Sequence, residues 1–387
     1  MSKHSSLSLR SAGYCLPAAL LFAFAMTADA LAAPPEHAQG NPPPHAQGNK
    51  KPIVLEDQGA FFAGGTVVTN PGTFDPINST PDGQTIHGDH AYVQYQTPTN
   101  ARNLPLVMWH GGGQMGKTWE STPDGRDGFQ NIFIREGWKT YILDQPRRGR
   151  ASRSVTPVTI NPVPGSGMTG EQGIFVRFRI GIWPDYFPNV SFPQDPDSLE
   201  QWWRQQVPTT GTGGGRDVTV DAVSAVFDKI GPGVLLTHSA SGILGWLTRI
   251  KNDNVTAIAS YEPTGCAFPE DEVPPPIPTT AGPVSGNPVS AADFDKLTTI
   301  PIQIIYGDFI PTSESNVPNL DIWRGRMEMC QLMVDTLNAH GGDAELVHLP
   351  DVGLIGNTHF PMSDLNNAGV AALLSDWLKE KGLDKRN

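Results

Sequence analysis

A short apolar run that stops at a serine constrains the fold of this chain more than any other feature. Val234-Leu235-Leu236 is an apolar run that ends three residues before Ser239, and helix-like spacing resumes at Ile243. This pattern predicts a strand, a sharp turn and a helix, with Ser239 at the tip of the turn. A tip residue has a strained backbone, so the positions two residues away must be small, as Thr237 and Ser241 are. The alternative is a buried strand followed by a serine that caps a helix.

Apolar strands and amphipathic helices alternate along the rest of the chain. This order predicts an α/β fold with a mostly parallel sheet and helices on both faces. Besides the strand before Ser239, strands are predicted at 60–69, 91–96, 104–109, 138–144, 256–261, 302–306 and 344–349, and helices at 124–137, 217–230, 322–339 and 366–379.

Composition limits the partners of the protein. The chain has 387 residues, of which 38% are hydrophobic and 17% charged, so it can build a large core. Its net charge of −12 argues against nucleic acid and against an anionic membrane surface as partners. The composition leaves the oligomeric state open, with a homodimer as one option.

The N-terminus has the pattern of a secretory signal. Lys3 and Arg10 precede an apolar stretch at 16–26, and small residues that suit cleavage follow at 28–32. We therefore predict a signal peptide at 1–33, a disordered linker at 34–52, and a secreted or periplasmic protein. The linker carries the sequence His-Ala-Gln-Gly-Asn twice and contains little that could be buried.

Residues 153–214 interrupt the strand and helix order. They are rich in proline, glycine and aromatic residues, and a loop of this length inside a domain is usually functional. We predict a cap inserted into a core formed by 53–152 and 215–387, covering the site and giving it apolar walls. The alternative is a structural subdomain that packs its own aromatic side chains.

A glycine loop follows the predicted strand at 104–109. In His110-Gly111-Gly112-Gly113 the backbone can turn tightly enough for N–H groups to reach a developing oxyanion. The alternative is an ordinary flexible turn.

Two charged clusters have less specific patterns. His87 and His90 could be metal ligands, but they lack the helical spacing of a known zinc motif, and we expect neither a metal nor another cofactor. Arg147, Arg148 and Arg150 could bind an anion, yet in an acidic chain we expect them to pair with local carboxylates.

Ser239, His359 and an acidic residue each follow an apolar strand closely. The acid is Glu262 or Asp308. In an open α/β sheet, ligand sites lie outside the carboxyl ends of the strands, so these side chains are expected to meet there. Serine, acid and histidine also occur in the chain order of one known type of hydrolase triad.

From about residue 60 to its C-terminus the chain resembles the α/β-hydrolase superfamily. The landmarks are His110-Gly111-Gly112-Gly113, residues 144–152, residues 237–242 and the region of His359. Within the superfamily it is most similar to the secreted 713-type bacterial esterases, which have a Glu after the sixth strand. That closer similarity is carried by residues 119–126, Glu262-Pro263 and Gly356-Asn357-Thr358-His359. Members of that group can carry adjacent cysteines where Gly112 and Gly113 stand here.

The resemblance implies a serine esterase that acts on a small ester or lactone. Ser239 would be the nucleophile, His359 the base and Glu262 the acid, with Asp308 as the alternative acid. The backbone N–H groups of Ala240 and of the glycine loop, at Gly112, would hold the oxyanion. A lactonase or another acyl hydrolase on the same residues is the alternative, and a non-catalytic binding protein is a third.

Cys266 and Cys330 are the cysteines left after removal of the predicted signal. Two cysteines in an oxidising compartment predict one disulfide, and two buried thiols are the alternative.

Overall fold

The computed structural model describes residues 51–78, 80–157, 170–211 and 215–386. The predicted signal segment at 1–33, and the predicted linker at 34–52 apart from its last two residues, lie outside the described residues. Within the described part of the chain, no helix has the length and apolar character needed to cross a bilayer.

Short strands and helices alternate along the described chain. The strands are β1 (Leu55–Ala63), β2 (Thr66–Thr69), β3 (Thr85–Gly88), β4 (Ala91–Pro98), β5 (Pro105–Trp109), β6 (Lys139–Asp144), β7 (Gly181–Ile182), β8 (Asp185–Tyr186), β9 (Gly233–His238), β10 (Val255–Tyr261), β11 (Ala267–Pro269), β12 (Asn287–Val289), β13 (Pro301–Tyr306) and β14 (Asp343–His348). The helices are α1 (Phe129–Arg135), α2 (Glu171–Arg177), α3 (Pro196–Arg204), α4 (Arg216–Ile230), α5 (Ser241–Lys251), α6 (Ala291–Leu297), α7 (Pro318–Ala339) and α8 (Asn367–Glu380).

One large sheet organises the molecule. Its 8 strands lie in the order β1-β4-β6-β5-β9-β10-β13-β14. Neighbours from β6 to β14 are parallel, whereas β4 pairs antiparallel with both β1 and β6. The predicted α/β class with a mostly parallel sheet is therefore confirmed.

The centre of the sheet is buried along its whole length. Every residue of β5 and of β9 is buried, as expected for parallel strands that are covered on both faces. His238 at the end of β9 is in register with Tyr261 at the end of β10, which is in register with Ile305 in β13. The residues that follow these strands therefore meet at one edge of the sheet.

The single strand predicted at 60–69 is wrong. The chain forms β1 and β2 there, and they belong to different sheets. Gly64 and Gly65 between them have φ angles of 63° and 103°, values that favour glycine and break an extended strand. The helix predicted at 124–137 is also shorter, since it begins after Gly128 and ends at Arg135.

Cys266 and Cys330 form a disulfide in the structure, with their Cα atoms 5.5 Å apart. The bond connects the loop after β10 to α7. In the chain-entropy description, closing a loop of 64 residues would stabilise the fold by about 4 kcal/mol.

Candidate active site

Ser239 stands at the tip of the turn between β9 and α5. Its φ angle of 57° is in the left-handed region, which is strained for a serine. The turn is held by backbone bonds, since Ser239 N–H donates to Tyr261 O at 2.9 Å and Ser239 O accepts from Gly242 N–H at 3.0 Å. The strain and these bonds present the side chain at the carboxyl edge of the sheet.

The side chains on either side of Ser239 take part in the packing of the turn. Thr237 donates from its hydroxyl to Ser260 Oγ at 2.8 Å, and Ser241 Oγ accepts from His238 N–H at 2.9 Å. A Cβ atom on Gly245 would lie 2.7 Å from the Thr237 methyl group. The turn therefore accommodates a threonine where a glycine is usual because the following helix has a glycine opposite it.

The glycine loop after β5 packs directly against this turn. A Cβ atom on Gly111 would lie 2.8 Å from His238 Nδ1 and 2.9 Å from Ser239 Cβ, so only glycine fits there. A Cβ atom on Gly112 would lie 3.4 Å from the Cβ of Ala240. The backbones of the two predicted oxyanion donors, at Gly112 and Ala240, thus lie next to each other and beside Ser239.

His359 lies in the loop between β14 and α8 and is fully buried. Its ring stacks on Phe178 at 4.7 Å and packs against Trp323 at 4.3 Å between ring centroids. Nδ1 lies 3.2 Å from Glu262 Oε2, a distance that allows Nδ1–H to donate to the carboxylate. Nε2 is buried and has no hydrogen-bond partner among the described residues. Nε2 therefore makes no hydrogen bond to Ser239. In many enzymes the nucleophile and its base come within hydrogen-bond distance only when the substrate is bound.

Asp364 holds the loop that carries His359. Its carboxylate accepts from the Thr358 N–H at 2.7 Å, the Thr358 hydroxyl at 2.9 Å and the Asn357 side chain at 3.1 Å. Burial raises the pKa of Asp364 to about 7, although these hydrogen bonds oppose the shift. These bonds fix Asn357 and Thr358, the two residues that precede the histidine.

Glu262 follows β10 and is fully buried. Its φ angle of 54° is in the left-handed region, as at Ser239. While Oε2 faces His359, Oε1 accepts from Gly307 N–H at 2.5 Å and from Arg179 Nη2 at 2.5 Å. Both oxygens of the buried carboxylate are therefore satisfied, which a buried charge requires.

Asp308 follows β13, but its carboxylate is used elsewhere. Oδ1 accepts from the Phe309 N–H at 2.6 Å and Oδ2 from the Gly356 N–H at 2.8 Å. These bonds tie the loop after β13 to the loop that carries His359. Of the two acids that the sequence left open, the structure brings Glu262 to the histidine and Asp308 to backbone groups.

The environment of His359 keeps its imidazole neutral. Burial lowers the pKa of His359 well below 6.5, and the positive charges of Arg179, Arg326 and Arg177 lower it further. A neutral imidazole with a free Nε2 can accept a proton at neutral pH.

A pocket of about 490 Å³ opens beside Ser239. The apolar and polar residues that line it include Gly112, Gly113, Ser239, Ala240, Ile174, Phe178, Val207, Pro208, Thr264 and Trp323. The nucleophile candidate and both oxyanion candidates therefore share one cavity. Another pocket, of about 500 Å³, is lined by residues near Lys51, Pro98 and Arg386 and contains none of the predicted site residues.

Comparisons with known proteins agree with this architecture. No family model matches the chain. A solved structure described as a novel bacterial esterase is 31% identical, with a TM-score of 0.68, over 86% of this chain and 98% of that one. The chain belongs to the α/β-hydrolase superfamily. A probable secreted lipase, phiG, from a fungus (Fungal sp.) is 27% identical over 320 residues, covering 75% of this chain and 86% of the lipase.

In this α/β-hydrolase the region predicted as a cap contributes to the site itself. Phe178 accepts a hydrogen bond from His359 N–H through its carbonyl oxygen at 3.0 Å, in addition to stacking on the ring. Ser191 N–H donates to Gly356 O at 2.7 Å, which joins the same region to the histidine loop. Residues 170–211 thus contact the catalytic candidates and also line the pocket. Residues 158–169 and 212–214 of the predicted cap lie outside the described residues.

Sequence reasoning missed Arg179. This buried guanidinium bonds Glu262, and its Nε donates to the Asp308 carbonyl oxygen at 2.7 Å. It also lies over the Trp323 ring, 5.0 Å from the centroid. The available signal was a pair of arginines, Arg177 and Arg179, in an aromatic stretch of an acidic chain.

The other predicted charged clusters have mixed outcomes. Arg147 pairs with Asp89 at 2.8 Å and Arg150 with Asp144 at 2.8 Å. Arg148 has no such partner among the described residues, so for Arg148 the expected pairing is wrong. Across the residues that the structure describes, no group of three or more His, Cys, Asp or Glu side chains is arranged to hold a metal.

Proposed function

We propose that this α/β-hydrolase is a secreted serine esterase that acts through Ser239, His359 and Glu262. The observation that carries the proposal is the 3.2 Å contact between His359 Nδ1 and Glu262 Oε2, behind the wall of the pocket that contains Ser239. The two relatives named above, an esterase and a probable secreted lipase, support this class of reaction and the secretion.

The first half of the reaction acylates the serine. Ser239 Oγ attacks the ester carbonyl carbon while Nε2 of His359 takes the hydroxyl proton. Glu262 holds the ring in the tautomer with hydrogen on Nδ1 and stabilises the imidazolium that forms. His359 then gives its proton to the leaving alcohol.

The negative charge that develops on the carbonyl oxygen requires donors that are already in place. The N–H groups of Ala240 and Gly112 are proposed for this role. Ala240 precedes α5, where backbone N–H groups lack acceptors within the helix. Loss of one such donor typically costs about 10²- to 10³-fold in kcat.

The second half of the reaction releases the acid. His359 removes a proton from water, the hydroxide attacks the acyl carbon, and Ser239 regains its proton as the ester bond breaks. No step needs a metal. The core would comprise residues 53–152 and 215–387, with residues 153–214 as the insertion that walls the pocket and 1–33 as the removed signal.

The test is hydrolysis of a chromogenic short-chain ester by Ser239→Ala. We expect kcat/KM to fall by about 10⁴-fold or more, by comparison with known triads, with the thermal unfolding midpoint nearly unchanged. Ser375→Ala on α8 removes a hydroxyl away from the pocket and should keep wild-type activity. Retention of more than a tenth of the activity by Ser239→Ala would refute the assignment.

A chelator should have no effect on the activity, and inhibition reversed by added metal would instead implicate His87 and His90.

A further inference from the structure

Three arginines line the pocket beside Ser239 and have no carboxylate partner in the part of the chain that the structure describes. They are Arg148 after β6, Arg177 at the end of α2 and Arg326 on α7. Among the described residues, the polar contact of Arg177 is with Asn319 Oδ1 at 3.4 Å, and that of Arg326 is with the face of Trp323 at 4.5 Å. Nε and Nη1 of Arg148 are buried and have no hydrogen-bond partner within the described ranges.

Other buried or half-buried arginines of this chain are paired. Arg147, Arg150, Arg179 and Arg324 each have a carboxylate within 2.8 Å. No aspartate or glutamate is among the described residues that line the pocket. Residues 158–169 and 212–214, which the structure does not describe, contain no acidic residue in the sequence either. These segments of the predicted cap therefore contain no carboxylate that could act as a counter-ion.

Burying a guanidinium group without a carboxylate partner raises the free energy of the folded protein. The lowered pKa values reflect this free-energy cost. Burial lowers the pKa of Arg148 to about 10, and burial together with the charge of Arg177 lowers the pKa of Arg326 to about 10. Both groups nevertheless remain cationic at neutral pH. An anion that enters the pocket would supply the pairing that the described residues do not provide.

The cationic groups lie close to the reacting centre. Arg326 lies over one face of Trp323, and the Trp323 ring packs on His359 with 4.3 Å between centroids. The carbonyl oxygen of Arg177 accepts from the indole N–H of Trp323 at 2.5 Å, which fixes the same wall. A group bound here would belong to a molecule short enough to reach Ser239 within the same cavity.

We propose that the ester hydrolysed at Ser239 carries a carboxylate, which Arg148, Arg177 and Arg326 bind. The inference rests on the proposed esterase function and names its substrate class. Guanidinium groups match a carboxylate through paired, charge-assisted hydrogen bonds. Ile174, Phe178 and Val207 would contact the apolar chain between the carboxylate and the ester. Hydrolysis adds water across the ester bond and releases an acid and an alcohol, one of which keeps the bound carboxylate.

The experiment compares matched substrates on the purified mature protein. Monoethyl esters of succinate, glutarate, adipate and suberate place a carboxylate at increasing distances on the acyl side, and the diethyl ester of each acid is its neutral control. Acetyl esters of hydroxy acids, with their methyl esters as controls, place the carboxylate on the alcohol side. The measured quantity is the ratio of kcat/KM for the anionic ester to that for its neutral control.

We expect this ratio to exceed roughly tenfold for at least one chain length, since hydrogen bonds between charged groups are stronger than those to a neutral ester. Arg148→Gln and Arg326→Gln, made singly, should each lower the ratio about tenfold while the neutral ester is still hydrolysed. Arg204→Gln is the matched control, because Arg204 is an exposed arginine on α3 paired with Glu200, and it should leave the ratio unchanged.

The ratio is measured within each variant, so a loss of folded protein does not change it. Equal rates for anionic and neutral esters in both series, or a ratio that the arginine variants leave unchanged, would overturn the substrate class while leaving the esterase proposal intact. Failure to hydrolyse any ester of the panel would instead contradict the proposed esterase function.

Discussion

Two carboxylates at neighbouring strand ends have different roles in this hydrolase. Glu262 follows β10 and Asp308 follows β13, and both stand within reach of the loop that carries His359. Glu262 faces the imidazole at 3.2 Å, whereas Asp308 accepts from the backbone N–H groups of Phe309 and Gly356. Position at the carboxyl edge of the sheet alone therefore does not decide which carboxylate contacts the histidine.

The difference arises from what surrounds each carboxylate. Glu262 has a left-handed backbone and a longer side chain, and Arg179 balances its charge in a fully buried site. Asp308 is shorter and half-buried, and it fastens two loops together. A carboxylate that lies beside backbone N–H groups without another acceptor forms hydrogen bonds with them and so holds the loops together.

The largest expected effect separates the two acids directly. Glu262→Gln keeps the size of the side chain but removes its charge, so the imidazole can adopt the wrong tautomer. We expect kcat on a chromogenic ester to fall by around 10⁴-fold, with the fold checked by circular dichroism. The comparison fails if Glu262→Gln stays within a few-fold of wild type while Asp308→Asn shows the large loss.

Arg179→Lys should have the next largest effect. Lysine keeps the charge but cannot donate to Glu262 and to the Asp308 carbonyl oxygen with one planar group. Because Arg179 bonds Glu262, we expect kcat to fall by roughly 10- to 100-fold with little change in KM. Arg204→Lys on the surface is the matched control, and an equal loss in both variants would argue against a positioning role.

The pH dependence of kcat/KM provides a smaller but independent comparison. Burial and the charges of Arg179, Arg326 and Arg177 lower the pKa of His359, so the acid limb should lie below pH 6.5. Protonation below that pKa removes the base. Removing the negative charge of Glu262 should move the acid limb of the residual activity to a still lower pH. Asp308→Asn should leave that limb at the same pH. A wild-type midpoint above pH 6.5 would contradict this account of the site.

Asp308→Asn should have the smallest effect on catalysis. Its two carboxylate oxygens each accept one backbone hydrogen bond. In asparagine one of these oxygens becomes an NH2 group that cannot accept, and losing that bond should destabilise the fold by about 1–2 kcal/mol. We therefore expect a lower thermal unfolding midpoint and a kcat within a few-fold of wild type. A stable variant with a large loss of kcat would show that Asp308 acts in the reaction.

The sequence predicted those parts of the molecule that local patterns encode. β5 is apolar throughout, β9 contains the apolar run Val234-Leu235-Leu236, and β13 is apolar except for Gln303, because both faces of a parallel strand are buried. The strained turn at Ser239 needs small neighbours, and these are visible as Thr237 and Ser241. Such features depend on residues within a few positions of one another.

The remaining features depend on contacts between distant parts of the chain. Arg179 and Glu262 are 83 residues apart, and nothing near either residue indicates which partner it meets. The roles of Phe178 and Asp308 likewise depend on how a long insertion and two loops pack together. The break between β1 and β2 is different, because Gly64-Gly65 is a local signal in the sequence. The extended pattern on both sides of these glycines nevertheless favours one continuous strand.

The most direct test of the central claim is covalent labelling with an aryl phosphonate ester, followed by peptide mass spectrometry. We expect one adduct per chain, on the peptide that contains Ser239, and none in Ser239→Ala. We also expect labelling to be strongly slowed in Glu262→Gln and close to wild type in Asp308→Asn. An adduct on another residue, or no adduct on a folded protein that hydrolyses esters, would contradict it.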